Sequence, residues 1–190
     1  MKICLVDLAQ SNNLLGSVLG RSVGMQIREL CNAPAIALSF ERASMVDATF
    51  MREAVVRTVM VLSPGTAVVV TGLDNPDHRD NLLYPCLQLE RPITVVKGRS
   101  FECLGPTLSP PLAKAVELVL TRKSLTSVEL ADVLHCSVQA ASTNLKNLHN
   151  RGYINRVRRG AASGGEEFVY EPFGVHLKWK SRHQSLGLAL

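Results

Sequence analysis

The chain has 190 residues, 46% of them hydrophobic and 5% aromatic, with a formal net charge of +5. That length and apolar content suit one domain or two small ones built on aliphatic cores. The apolar runs fall far short of a membrane span and Met1-Lys2-Ile3-Cys4 carries no signal-peptide pattern, so a cytoplasmic protein is expected.

In chain order, Lys2 to Asp7 is a short apolar run that predicts a first strand. Ser11-Asn12-Asn13 is a turn signal. Gly16 to Leu30 predicts a helix with Val23, Ile27 and Leu30 on one side. Its glycines, at Gly16, Gly20 and Gly24, would each cost about 1 kcal/mol against Ala inside a helix. Their four-residue spacing points to close helix packing rather than to a phosphate cradle. Ala35 to Phe40 is apolar nearly throughout, as a central strand would be. A helix from about Ala48 to Leu62 follows, with Asp47 placed to cap it and Met51, Ala54, Val55 and Val59 on its apolar side. Ser63-Pro64-Gly65 stops it. Thr66 to Thr71, with three consecutive valines, is the clearest strand. A helix from about Arg79 to Leu87 is limited or kinked by Pro85. Ile93 to Val96 is another strand, and Phe101 to Leu104 pairs with it. Alternating strands and helices imply an α/β layer with a largely parallel or mixed sheet.

The segment from Ile36 through Phe40, Glu41, Ala43, Met45, Asp47, Ala48, Thr49 and Phe50 runs from a buried strand through a loop into a helix start. With Gly20-Arg21 in the preceding helix, it resembles the STAS domain superfamily, and within it the STAS-like domain of unknown function associated with histidine-kinase-like ATPases. The likeness covers about residues 1–100. It implies a mixed sheet with helices, a regulatory or interaction role for residues 1–105, and a histidine-kinase-like ATPase or kinase as partner. In the anti-sigma-factor antagonists of that superfamily this segment reads Asp-Ser-Ser-Gly and its second serine is phosphorylated. Thr49 falls on that position, with Ala48 and Phe50 replacing the first serine and the glycine, so the resemblance implies a phospho-switch at Thr49. The plainer reading stands beside it: Asp47 and Thr49 satisfy amides at a helix start.

Residues 106–111 are proline-rich and read as a semi-rigid linker. Leu112 to Thr121 predicts the first helix of a second domain, 112–173. Ser127, read as an N-cap, opens a short helix with Val128, Leu130, Ala131 and Leu134 on one side. His135-Cys136-Ser137 is a tight break. Val138 to Asn150 predicts a longer helix with Ala141, Leu145 and Leu148 on one face. Gln139, Ser142, Thr143, Lys146, Asn147 and Asn150 form an opposite face without an acid. Gly152 ends the helix where a left-handed residue is expected. Tyr153 to Arg159 and Glu167 to Tyr170 form a hairpin about a Gly160 to Gly165 tip. Residues 174–190 are a basic tail.

Helix, turn, helix and basic hairpin resemble a MarR-like winged helix-turn-helix over about Pro110 to Phe173. That resemblance implies duplex DNA binding as a dimer on symmetric half-sites, with the Val138 to Asn150 helix in the major groove and the hairpin on phosphates or in the minor groove. The candidate contacts are Gln139, Ser142, Thr143 and Lys146 on the helix, and Arg156, Arg158 and Arg159 on the hairpin. The charge supports it. Residues 1–108 hold ten basic and ten acidic side chains, whereas residues 109–190 hold eleven and six. A neutral half joined to a basic half reads as a sensor or partner module fused to a polyanion binder. The cations are expected to gather on one surface beside the helix.

Chemistry is sparse. The five cysteines, Cys4, Cys31, Cys86, Cys103 and Cys136, are scattered and odd in number, which argues against a disulfide framework or a zinc site. The histidines pair with no acid or cysteine at metal-ligand spacing, and His135-Cys136 reads as a packed turn. Asp74, Asp77 and Asp80 lack the glycine and glutamate of a calcium loop. The expectation is therefore a non-enzymatic, cofactor-free transcriptional regulator whose STAS-like half senses a signal or partner. The alternative is an interaction switch that docks an ATPase through the STAS-like half, with the winged half as scaffold.

Overall fold

In the computed structural model, residues 1–31, 33–62, 66–160 and 166–177 are described. The protein is a mixed α/β fold: a five-stranded sheet with flanking helices, then three further helices and a three-stranded antiparallel sheet. No described helix is long and apolar enough to cross a membrane.

The elements of the first half are β1 (Lys2–Cys4), α1 (Leu5–Ala9), β2 (Asn13–Leu14), α2 (Ser17–Leu30), β3 (Ala35–Ser39) and β4 (Met45–Val46). Then come α3 (Ala48–Phe50), a π-helical segment Met51–Val56, α4 (Arg57–Val61), β5 (Ala67–Thr71), α5 (Pro76–Gln88), β6 (Ile93–Lys97) and β7 (Ser100–Leu104). The sheet order is β1-β3-β5-β6-β7, parallel except for β7, which pairs antiparallel with β6. Each parallel step moves the same way across the sheet, and right-handed crossovers then place α2, α3–α4 and α5 on one face. That face carries Ile36, Leu38, Phe40, Val68, Val70, Ile93 and Val95, all in the first hydrophobic core.

Several predicted bounds move. The first strand stops at Cys4, because Leu5 turns inward, fully buried, as the start of α1. The helix expected from Arg79 begins at Pro76, where the Asn75 side chain accepts from the Asp77 amide and a proline at the first position loses no hydrogen bond. It continues past Pro85 to Gln88. The helix predicted from Ala48 is one helical rod to Val61, but its middle widens to π geometry. The two-residue parallel pair β2–β4 was not predicted; two residues carry too little pattern to read.

The glycine spacing on α2 explains the packing of that rod. A Cβ on Gly20 would lie 2.9 Å from Glu53 Cβ and 3.1 Å from the Phe50 carbonyl; one on Gly24 would lie 2.8 Å from Thr58 Oγ1. The two helices therefore touch nearly backbone to backbone. From α4 the Thr58 hydroxyl donates back to the Glu53 carbonyl of the widened segment at 3.4 Å. Asp47 caps the rod as expected, accepting from the Phe50 amide at 2.6 Å and also from the Gly16 amide at 2.8 Å.

The second half contains α6 (Pro110–Arg122), β8 (Leu125–Thr126), α7 (Ser127–Leu134), α8 (Val138–Asn150), β9 (Asn155–Gly160) and β10 (Glu166–Glu171). Helix α6 begins two residues before the predicted start, with Pro110 and Pro111 in its first turn. The cap of α7 is Thr126, not Ser127: Thr126 and Glu129 form a reciprocal capping box, which needs the hydroxyl three residues before the glutamate. Residues of α6, α7 and α8 close over Leu125, Tyr153, Ile154 and Tyr170 to make a second core. The sheet order there is β8-β10-β9.

A third, smaller core lies on the sheet's other face. Alternation puts Ala37, Val69, Thr71, Thr94 and Val96 there. Phe173 and Leu177 pack on Ala37, Val69 and Val96, and a Cβ on Gly174 would lie 2.7 Å from Val69 Cγ1. The Tyr153 hydroxyl donates to the Pro106 carbonyl at 2.8 Å. Within residues 174–177, expected to open a tail, Gly174 and Leu177 are thus seated on the five-stranded sheet. The rest of that tail, the 161–165 tip and the 63–65 stop lie outside the described residues.

Candidate nucleic-acid interface

Helix α8 owes its orientation to Ala141, Leu145 and Leu148, which are fully buried. Ser137 caps it, its hydroxyl accepting from the Ala140 amide. The preceding turn is made by His135 in the left-handed region, at φ 49°. At the far end Gly152 takes φ 81°, where a Cβ would be strained. The His149 ring then reaches the Ile154 carbonyl at 3.2 Å, tying helix to strand.

With that face buried, Gln139, Thr143 and Lys146 stand exposed and Ser142 is half-buried. Thr143 donates its hydroxyl to the Gln139 carbonyl at 2.9 Å, so its oxygen is partly committed to the helix backbone. Lys146 has no ion-pair partner among the described residues. The exposed line is therefore polar, acid-free and singly cationic. Beside it, Ala140 and Asn144 join Pro110, Pro111, Lys114, Leu134 and Cys136 around an open groove of about 450 Å³.

The hairpin arginines divide between two faces. In the β9–β10 register Arg156 sits opposite Tyr170 and Arg158 opposite Phe168, while Arg159 sits opposite Glu167. Directly opposed residues share a face and neighbours along a strand do not. Arg156, Arg158 and Phe168 thus extend the side on which Tyr170 meets the helices. Arg159 lies on the reverse side, bonded to Glu171, whose side chain is only 1% exposed and also takes His176 Nε2 at 2.7 Å. Of the three hairpin arginines expected on one surface, Arg156 and Arg158 share a face of the hairpin and Arg159 lies on the other. Alternation along β9 by itself parts Arg158 from Arg159; the register with β10, which a strand pattern does not show, decides that Arg158 is the one sharing a face with Phe168.

Sequence reading missed Phe168. It is 40% exposed, with the Arg156 guanidinium 4.1 Å and the Arg158 guanidinium 5.6 Å from its ring centroid. Stacking on an aromatic ring orients a guanidinium while leaving its N–H edge open. Arg158 also meets Glu166 at 3.2 Å, an exposed pair that contributes little stability and is readily exchanged for a phosphate. An exposed aromatic two residues before a buried tyrosine, opposite an alternating arginine strand, was the available signal.

In the first half Thr49 is half-buried in the first turn of α3, two residues after the Asp47 cap. Around this helix start Leu15, Val18 and Met45 are exposed apolar side chains, Val18 the most at 75%.

Elsewhere the titratable groups are structural. Burial pushes the Cys86 thiol up to about 12, and burial, with Cys86 and Glu102 nearby, does the same to Cys103. Both are held as unreactive thiols at neutral pH. Among the described residues no cluster of three His, Cys, Asp or Glu side chains could hold a metal ion. No protein-family model matches the chain, and no curated protein matches it either.

Proposed function

We propose that the protein is a DNA-binding transcriptional regulator: α6, α7, α8 and the β8–β10 sheet act as a winged helix-turn-helix, and the first half acts as a STAS-like domain that senses a signal or partner. The observation that carries this reading is the acid-free exposed line Gln139, Thr143 and Lys146 on a buried-backed helix, accompanied by Arg156 and Arg158 on the helix-facing side of the hairpin. A helix of this kind fits the major groove. Its amide, hydroxyl and ammonium groups meet base edges, and guanidinium groups on a ribbon meet phosphates. A homodimer on two half-sites would supply the area that a single module lacks.

The test is duplex binding measured across a salt series. Affinity should fall as salt rises, and Lys146→Ala and Arg158→Ala should each reduce the slope by roughly one if each meets a phosphate. Absence of duplex binding at low salt would remove the reading.

The second reading is an interaction switch that docks a histidine-kinase-like ATPase through the first half. It is favoured by the exposed Leu15, Val18 and Met45 around the helix that carries Thr49. A phosphate on Thr49 would place about two negative charges in a helix's first turn, where the dipole favours them. Thr49→Glu and Thr49→Ala should then bind such an ATPase differently. Equal binding would reject the switch.

A further inference from the structure

The first half is neutral as a whole, but two of its helices are not. Helix α2 and the rod from Ala48 to Val61 carry Arg21, Arg28, Arg52 and Arg57 against only Glu29 and Glu53. Glu53 is nearly buried and meets both arginines of its own rod, Arg52 at 3.0 Å and Arg57 at 3.6 Å. Arg21 and Arg28 are exposed and meet no acid among the described residues.

Helix geometry arranges these side chains. Arg21 and Arg28 are seven residues apart, as are Val18 and Met25, so each pair forms one lane along α2. Gly20 and Gly24 face the rod, and Val23 and Ile27 face the first core. Going round the helix from that core, the glycines come next, then Arg21 and Arg28, then Val18 and Met25. The cationic lane therefore borders the rod. The apolar lane beside it is open to solvent, Met25 at 53%. Across the glycine contact Arg57 stands exposed on the rod, which ends on exposed Met60 and Val61. Because the glycines bring the two helices to backbone contact, one docked segment can reach both ridges.

We propose that this face docks an acidic amphipathic helix of a partner protein. Apolar side chains of that helix lie against Val18 and Met25, and carboxylates beside them pair with Arg21, Arg28 and Arg57. The inference rests on the reading of the first half as a partner-sensing domain and gives that partner its chemistry. Charge complementarity selects this occupant. The phosphates of a nucleic acid would meet the arginines but leave Val18 and Met25 against nothing apolar. A membrane-bound helix carries Trp, Phe or Leu on its apolar face, whereas this lane is one valine and one methionine. Methionine is unbranched and polarisable, which suits a surface that fits itself to another protein's side chains.

The test is selection from a displayed random peptide library on the full chain, after clearing the library on the Arg21→Gln/Arg28→Gln double variant. Enriched peptides should be acidic, with apolar residues three, four and seven apart. They should bind the double variant roughly tenfold more weakly than the unchanged chain, and Met25→Gln more weakly too. Lys146→Ala with Arg158→Ala should leave peptide binding unchanged, which separates this face from the basic half. The substituted side chains are exposed, so unchanged thermal midpoints verify that each variant is folded. No enrichment, or enriched peptides without net negative charge, would overturn the proposal. So would phosphatidylglycerol-vesicle or duplex binding that the double variant loses, which would assign the face to a membrane or to nucleic acid. A parallel selection without clearing distinguishes the remaining failures. Binders to the first half that ignore the α2 substitutions would overturn this face and leave the partner-sensing reading; no binder to the first half in either selection would overturn both.

Discussion

The two halves use their cations differently. Ion pairs occur in both: in the first, Lys2 meets Glu41, Arg42 meets Asp7, Arg52 and Arg57 meet Glu53, and Arg79 meets Glu102; in the second, Lys114 meets Glu117, Arg158 meets Glu166 and Arg159 meets Glu171. In the second, Lys146 meets no acid among the described residues, and Arg151 and Arg156 stack on Tyr153 and Phe168. The neutral half uses its ions to hold loops and helices in place. The basic half keeps several cations where a polyanion could displace water or a weak surface pair. Packing differs too. The first core depends on glycines that bring two helices to backbone contact, the second on caps and on leucines closing over a small sheet.

The largest effect that would sharpen this contrast is Gly20→Val. Its side chain must enter the space of Glu53 and the Phe50 carbonyl, and overpacking against backbone should cost about 3 kcal/mol, read in urea unfolding. Leu145→Ala attacks the other core and should cost about 3 kcal/mol through the lost burial and the cavity left behind. If the halves fold as independent units, each substitution should lower only one of two unfolding transitions. A single shared transition would show that the seam couples them.

Next in size are the effects on duplex binding. Arg158→Ala should weaken it more than Arg159→Ala, because Arg159 is turned to the reverse face and held by Glu171. Equal losses would mean that the hairpin rearranges on DNA. Thr126→Ala removes the capping box of α7 and should cost about 1 kcal/mol by thermal unfolding.

The smallest effect is a pH dependence in the neutral half. The hydrogen bond from Arg79 holds the Glu102 carboxyl below its ordinary range, against the opposing effect of burial. A depressed folded-state value means stability that is fully present above the ordinary glutamate range and is lost as pH falls through the folded value. Arg79→Met should flatten the acid limb of the stability curve, and an unchanged limb would break the assignment.

Much of the molecule is legible in its amino-acid sequence. The bounds of α8 follow from Ala141, Leu145 and Leu148 at helical spacing, with Ser137 before them and Gly152 after. The runs Ala35 to Ser39 and Ala67 to Thr71 are apolar on both sides, which is how a central parallel strand reads. Asp47 was recognisable as a cap. Less legible were elements too short to show a period, such as β2, β4 and β8, and the Thr126 cap, where two adjacent hydroxyl residues competed and only the reach of Glu129 decides. The π-helical widening at Met51–Val56 has no pattern of its own.

What the amino-acid order determined by itself is local or additive. Periodicity set the helices and strands, cap residues set their ends, and counting set the charge on each half. Tertiary structure decided what depends on distance between remote segments. The β9–β10 register put Arg158 beside Phe168 and Arg159 behind it, because a ladder offset by one residue reverses every side chain. The approach of Gly152 to the residue just beyond α5 part-buried the Arg91 side chain, since segments far apart in sequence meet only through the folded path of the chain.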